Sequence, residues 1–538
     1  MFAVWKFRAK LVPGRFTVVF YRFLCSLTSI VLSSELIAST DVGKSRENPL
    51  IVQGGTTEQS FWEANTEHTA RLLFYSAVNL EPIYLTSDYR LLPGYIKSWQ
   101  YFETENKFRL TIDNDLKFHN GKNLESGDFE YLLIKMRIAP SQSYFKKDFS
   151  EDIVGLKDLK RGTKYRSGMC SGIKVIDTRT IDIFLTNKNK RFLYSLANLD
   201  IPIAPIDSFK EDHQTWKSTP IGLGDYKVIE ANKEGTDVLL KNTNSENEIK
   251  YIRLLNKGNA SNNSPHIAIG TGTIGLKSAS SNHRLSRVKS ENPSMVVTID
   301  FNFSSEIGSN RNFRKVVYSV LKSKNVFTDD RFSKTNTLYP NLTIKTSNLL
   351  DGVSEASNEV KELLRKHAID LKNPIRMFYS AGPKSRDIPN PVKTIVEILN
   401  KKGLPTKPIG TDSTKFKSKD AANGIILKLS ASSLDLSNQF NVFAKYLPGE
   451  GNLFNSKYDN EFKKYYSEGI SSSKYEDRIK NLKNLEKLNR REYIQIPLAH
   501  GFEVYYYDKK LISEAGMFGL DVRLNLSNIK LKKTPGGK

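Results

Sequence analysis

Leu91-Leu-Pro-Gly-Tyr-Ile-Lys-Ser-Trp99, Leu116-Lys-Phe-His-Asn-Gly-Lys-Asn-Leu124, Ile173-Lys-Val-Ile-Asp-Thr-Arg-Thr-Ile-Asp-Ile-Phe-Leu185 and Thr219-Pro-Ile-Gly-Leu-Gly-Asp-Tyr-Lys-Val228 follow one another in the first half of a 538-residue chain. The third segment reads as a β-hairpin turning at Asp177-Thr-Arg-Thr180. Before the second, Phe108-Arg-Leu-Thr-Ile112 alternates at period two and Asn114-Asp115 supplies a turn, so a strand, a turn and a second strand over 116–118 are expected. Ser126-Gly-Asp128 precedes the apolar-periodic stretch Phe129–Met136, with a serine and an acid placed to cap a helix. In the fourth segment Gly222 and Gly224 permit backbone geometry closed to other residues.

In this order the four segments resemble the family 5 extracellular solute-binding proteins, the oligopeptide- and dipeptide-binding receptors of ABC importers. Their usual counterparts there are "PGLAESW", "KFHDGTPLTAEDV", a "V…D.YTV.I.L" hairpin and a "P.GTGPYKV" loop. Glu81-Pro-Ile-Tyr84 stands at the family's "YEGL", Leu399-Asn-Lys-Lys-Gly-Leu404 is similar to "LKKIGI", and Ile494-Gln-Ile-Pro-Leu498 looks like the "PVIPLY" strand that returns the chain to the first lobe. The likeness runs from about 49 to about 525, dense in 91–228, thinner in 375–500 and poor in 229–372. Leu223 and Asp225 replace the usual Thr and Pro, which leaves the glycine loop less rigid than the family norm.

The resemblance implies an α/β, bilobal periplasmic-binding-protein fold of type II, in its large three-subdomain form, with a ligand cleft between the lobes. Lobe I would comprise 46–292 plus 503–538, with an inserted subdomain over roughly 65–200, and lobe II 293–502. Implied with it are a peptide or other small solute as ligand, an ABC permease in the inner membrane as partner, a monomeric state, and no enzymatic reaction.

Outside the four segments, Pro49-Leu-Ile-Val-Gln-Gly-Gly55 reads as a short buried strand, and 68–80 as a helix. Residues 256–292, rich in Gly, Ser and Asn, read as surface loops near a lobe boundary. Beyond them Met295–Phe303 is a strand, 312–321 a helix, and 358–370 an amphipathic helix with Val360, Leu363, Leu364 and Ala368 on one face. Ile375–Tyr379 is a strand, 391–402 a helix with proline at its start and Gly403 past its end, and a strand follows from Lys407. This βαβ alternation indicates an α/β lobe. A helix over 475–493 turns Ile479, Leu482, Leu485 and Leu488 inward and leads into the strand 494–498.

Residues 1–39 have the pattern of a signal peptide. Lys6, Arg8, Lys10, Arg15 and Arg22 form a basic region, 23–32 an apolar run, and Ser33, Ser34, Ala38 and Ser39 supply small residues for cleavage. The apolar run is far short of the roughly 20 residues that span a bilayer. Leu24 stands where a lipidation motif needs a small residue, so Cys25 is not expected to carry a lipid anchor. Export to the periplasm leaves Cys170 alone, and the exported chain must cohere without an internal disulfide.

The formal charge of +23 falls to about +19 after removal of that segment, which holds five basic residues and Glu35. Such an excess fits either affinity for polyanions, as in a secreted envelope-binding protein that kept the fold without transport, or a solvated surface with scattered lysines. No basic helix or arginine cluster marks a nucleic-acid partner. Gly270-Thr-Gly-Thr-Ile-Gly275 matches G-x-G-x-x-G, but Leu276-Lys-Ser-Ala-Ser-Ser is a poor helix start and no acid follows at the right distance, so no dinucleotide cofactor is expected. The seven histidines are dispersed without metal-ligand spacing, and no nucleophile elbow is present.

Ligand contacts are implied by position in the family pattern. Phe61 and Trp62 follow the first strand, Tyr379 ends a second-lobe strand, and Phe440 and Tyr446 are further aromatic candidates; Gly222 and Tyr226 match the glycine loop. The family's peptide receptors carry an aspartate that pairs with the peptide's α-ammonium. Aligning Leu427–Phe440 with that region puts Ser432 or Ser433 at the anchor, with Asp435 the acid that a shift in register would bring there.

Overall fold

The computed structural model describes residues 41–533 apart from 55–59, 63–67, 86–89, 141–151, 189–191, 198–201, 245, 257–264, 270–284, 323, 340–356, 367–373, 381–387, 412–425, 434–439, 445–458, 473–474 and 519–522. The expected signal peptide, the G-x-G-x-x-G match, Asp435 and Tyr446 lie outside the described residues.

In chain order the strands are β1 (Leu50–Gln53), β2 (Ile83–Leu85), β3 (Leu91–Pro93), β4 (Ile96–Phe102), β5 (Lys107–Ile112), β6 (Ile173–Val175), β7 (Thr180–Phe184), β8 (Tyr226–Ala231), β9 (Asp237–Asn242) and β10 (Tyr251–Leu255). They continue with β11 (Ile267–Ile269), β12 (Leu285–Phe301), β13 (Phe332–Lys334), β14 (Ile375–Ser380), β15 (Thr406–Thr411), β16 (Leu427–Ser433), β17 (Gln495–Asp508), β18 (Ile512–Phe518) and β19 (Arg523–Leu531). One mixed sheet has the order β15-β14-β16-β12-β17-β11-β1-β10-β9-β8, with β13 also paired to β17. A separate four-stranded sheet has the order β4-β5-β7-β6. The expected hairpin is β6–β7. The expected strand over 116–118 reduces to a single bridge, Lys117 to Asn123.

Among the described residues three large apolar cores form. In the first, Leu50, Val52, Leu240, Ile252 and Ile267 of the large sheet pack against Leu73, Phe74 and Val78 of the helix His68–Val78 and Leu524, Leu526 and Ile529 of β19. The end of the chain therefore packs with its beginning; Leu526 N–H donates to Ser76 Oγ at 3.3 Å.

The second core runs from Ile83 to Leu223 and joins the four-stranded sheet to the helix Ser126–Ile138. That helix is buried on nearly every face, as expected of one sheathed by protein. Its two buried charges have different surroundings. Glu130 accepts from Tyr165 Oη, Ser167 Oγ and Gly168 N at 3.0, 2.6 and 2.7 Å. Lys135 donates to Pro202 O at 3.2 Å and lies 3.9 Å from the Phe209 ring centroid, and burial pulls its pKa down to about 7.

The third core gathers Val296, Ile299 and Phe301 of β12, Ile375 and Met377 of β14, and Ile496 and Leu498 of β17 with the helices Arg311–Lys322, Asn390–Lys401 and Tyr475–Glu492. The helix Asn390–Lys401 ends as its sequence dictates. Gly403 takes φ +82°, and Leu404 N–H donates back to Leu399 O at 2.9 Å. Each fully buried Phe or Leu in these cores contributes about 1.5–3 kcal/mol. No described helix is long and apolar enough to cross a membrane.

Sequence reading missed the length of two strands. β12 begins at Leu285, inside the stretch read as loops, and β17 runs to Asp508 instead of stopping at 498. The two pair antiparallel along most of their length, so one ribbon joins the first core to the third.

Candidate binding site at converging strand ends

Strand direction and register define the candidate site. β1 runs parallel to β10 and β11, and β14 runs parallel to β15 and β16. β11 meets β17 with Ile267 opposite Tyr507 and Ile269 opposite Tyr505, so its carboxyl end advances toward residue 502 of β17. β16 meets β12 with Leu427 opposite Phe301 and Ser433 opposite Met295, and Met295 lies opposite Gly501. Both parallel groups therefore aim their carboxyl ends at one level of the β12–β17 ribbon. Carboxyl ends of parallel strands are where open α/β sheets bind ligands.

At that level the ribbon loses its register. Shifts fall between Lys289 and Pro293 and between Pro293 and Met295, with Pro293 opposite Phe502. Proline cannot donate to a ladder and is confined to such irregular places. Side chains bridge the break: Ser294 Oγ donates to Glu503 Oε1 at 2.8 Å, and Glu503 N–H donates to Ser290 Oγ at 3.2 Å. Gly501 is flanked by Met295 of β12 and Phe332 of β13, and a Cβ there would lie 2.5 Å from Met295 Cγ.

A second construction holds the glycine loop to the rest of the first half. His119 N–H donates to Gly222 O at 3.0 Å, Gly222 N–H donates to His119 Nδ1 at 3.3 Å, and His119 Nε2 lies 2.8 Å from Gly224 O. The two ring contacts require a neutral imidazole with its proton on Nε2. Burial, opposed by the Gly224 bond, lowers the His119 pKa from its ordinary 6.5 and keeps that form at neutral pH. On its other side the loop lies on the end of the helix His68–Val78: Gly224 N–H donates to Val78 O at 2.8 Å, and a Cβ on Gly222 would lie 2.0 Å from the same oxygen.

The residues singled out in the sequence do not all meet. Ser432 and Ser433 close β16 opposite Val296 and Met295, at the converging ends. Tyr379 is the penultimate residue of β14 and is buried in the third core. Trp62 is half-buried, its ring 5.5 Å from Phe74 and packed toward Tyr131, Phe209 and Trp216 as well. Phe61 is fully buried against Phe74. Tyr226 is fully buried at the start of the edge strand β8, its hydroxyl donating to Ile249 O at 2.9 Å, and with Gly222 it lies away from the converging ends. Phe440 is fully buried, 5.9 Å from Tyr466.

Residues 90–441 match the model of the bacterial extracellular solute-binding proteins, family 5 (Middle). The chain belongs to that family. No curated protein matches the sequence. Among solved structures, this family 5 chain is similar to a periplasmic oligopeptide-binding protein of Borrelia burgdorferi, with 15% identity, 90% of this chain and 100% of that one covered, and a TM-score of 0.68. OppA of Haemophilus influenzae in complex with the peptide RPPGFSPFR gives 16%, 90%, 99% and 0.66 in the same terms. AgaA of A. tumefaciens in complex with agropinic acid gives 15%, 90%, 99% and 0.66. These likenesses establish the type II periplasmic-binding-protein fold for the family 5 chain. The family is one of binding proteins, not of enzymes.

Among the described residues of this solute-binding protein no group of three His, Cys, Asp or Glu side chains is placed to hold a metal. Sequence reading overlooked the residues at the ribbon's break, Ser290, Ser294 and Glu503. The signal available for them was Pro293 inside an otherwise strand-forming run.

Proposed function

We propose that the chain is the solute receptor of an ABC importer, capturing a peptide or related small solute between two bodies and delivering it to an inner-membrane permease. The bodies are 46–292 with 503–538, and 293–502. The observation that supports this reading is the convergence of two sets of parallel strand ends on the level of Pro293 and Phe502, where the connecting ribbon twice shifts register. A ligand seated there touches both bodies, and bending at the break closes them over it.

Backbone groups at the strand ends hold an extended ligand by main-chain hydrogen bonds, while side-chain pockets and water tolerate variety. The contacts we assign are Ser432 and Ser433 from one body and Trp62 from the other; Asp435, Tyr379 and Tyr446 are assigned from their positions in the family pattern alone. The full burial of Phe61 and Phe440 supports a role in shaping the walls, whereas Tyr226 serves the first core away from the converging ends. The related structures were solved with a peptide and with agropinic acid, so likeness of fold leaves both solute classes open. The receptor acts as an exported monomer without a lipid anchor, cleaved between Ser34 and Thr40, which the intact mass of exported protein tests. No covalent step and no cofactor enter this role.

Native mass spectrometry of gently purified protein tests the reading. It predicts one small solute per folded chain, removed by unfolding and refolding. A folded chain that carries no solute and gains no thermal stability from peptide or opine libraries contradicts it.

A further inference from the structure

We propose that Arg287, Lys289 and Asp330 form a salt-sensitive latch that sets the resting angle between the two bodies; the proposal rests on reading the β12–β17 break as a hinge. Arg287 and Lys289 are two apart on β12 and so share one face. That half of β12 pairs with Tyr506 and Val504, on the first body's side of the break. Asp330 lies on the other side. It directly precedes Arg331, whose carbonyl accepts from Phe502 N–H at 2.9 Å, and Phe332, which pairs with Gly501 and packs on the third core.

Across this gap Arg287 Nη1 pairs with Asp330 Oδ2, and Lys289 Nζ donates to Asp330 O at 3.4 Å while standing 4.1 Å from the Phe502 ring centroid. The neighbouring charges are engaged elsewhere. Asp329 Oδ2 pairs with Arg331 at 2.8 Å, and Glu503 accepts from Ser294. Among the described residues, the Asp330 carboxylate is thus the acid that pairs with Arg287. Two of the ribbon's three register shifts lie between Lys289 and Met295, the third between Val297 and Thr298, so bending at the Pro293 break changes the Arg287–Asp330 separation and leaves the cores intact.

The Asp330 side chain is 72% exposed and that of Arg287 29% exposed, so salt screens the pair. An exposed pair adds little to folding, but acting on two nearly equal hinge angles it shifts their ratio about two- to five-fold.

Pulsed EPR distances between spin labels at Lys241→Cys and Lys401→Cys, both exposed positions on different bodies, test the latch without any solute. Raising NaCl from about 0.05 M to about 1 M shortens the screening length from over 10 Å to about 3 Å. This moves the wild-type population ratio about two- to five-fold. Asp330→Asn shows the high-salt distribution at low salt and no longer responds, and the swapped pair Arg287→Asp with Asp330→Arg regains the response. Pro293→Gly loosens the break and serves as the hinge control. If it broadens the distribution while Asp330→Asn matches wild type at every salt concentration, the latch is wrong and the hinge stands. If no variant or salt condition alters the distance, the hinge reading falls and the latch with it.

Discussion

His119 Nε2 lies 2.8 Å from the carbonyl oxygen of Gly224, residues 105 positions apart. The ring joins the Phe118-His-Asn-Gly121 turn to the glycine loop, two of the four segments from which the family is legible. A histidine with no metal-ligand spacing in the sequence thus acts as a clamp, and its proton location follows from the two backbone groups it serves.

His119→Ala leaves Gly222 N–H and Gly224 O without these partners and is expected to cost about 1–3 kcal/mol in urea unfolding. The folded-state pKa is depressed, so the unfolded chain binds the proton more readily. The clamp's stability is present above the ordinary 6.5 and is lost as pH falls through the depressed folded value. Wild type should therefore lose more stability than His119→Ala as the pH drops through the range from 6.5 to the depressed folded value; parallel pH profiles across it would contradict the clamp.

Glu486 carries the opposite sign. It is fully buried, 3.3 Å from Arg490 Nε, and accepts from Leu338 N–H at 3.3 Å, yet burial pushes its carboxyl up to about 7. The folded state holds this proton more tightly than the unfolded state, so stability declines as pH rises from the ordinary 4.5 through about 7. Glu486→Gln should remove that decline, a difference on the order of 1–3 kcal/mol between pH 5 and pH 8 by thermal or urea unfolding.

Gly222→Ala and Gly224→Ala would place Cβ atoms 2.0 Å from Val78 O and 2.3 Å from Ala77 O, backbone atoms that cannot swing aside. Each is expected to destabilise by about 1–3 kcal/mol. Gly127→Ala, where a Cβ meets nothing within 4 Å at the start of the helix Ser126–Ile138, should be neutral or stabilising by less than about 1 kcal/mol. Equal effects at all three glycines would show that the loop does not lean on the helix end.

The α-amine requirement is open to titration. Neither Ser432 nor Ser433, at the end of β16, is a carboxylate, so we expect a receptor that accepts N-blocked peptides or a solute without an ammonium. A free peptide and its N-acetylated form should then bind within a few-fold of each other by calorimetry. If acetylation and Asp435→Asn each cost roughly 3–5 kcal/mol, as breaking a buried ion pair does, Asp435 supplies the anchor and the expectation is wrong.

Local chemistry made part of this protein readable. Gly403 past the helix Asn390–Lys401, Pro391 within its first turn and the β6–β7 hairpin are each decided by a few adjacent residues, and the structure agrees. β12 and β17 were misread because their pairing joins residues about 200 positions apart, and Pro293 breaks the local strand pattern that would have marked them. The large aromatic side chains were ambiguous for a different reason. Phe61, Tyr226 and Phe440 have the residue types of a ligand wall, and only burial distinguishes core from surface. The converging strand ends were invisible for want of strand order, which no local pattern encodes.

Small-angle scattering of the protein, stripped of solute and then saturated with the solute identified by native mass spectrometry, tests the central claim most directly. Closure of two bodies about the break near Pro293 and Phe502 predicts a smaller radius of gyration in the one-to-one complex than in the stripped protein. An unchanged radius in a complex shown to be fully bound would contradict capture between the two bodies.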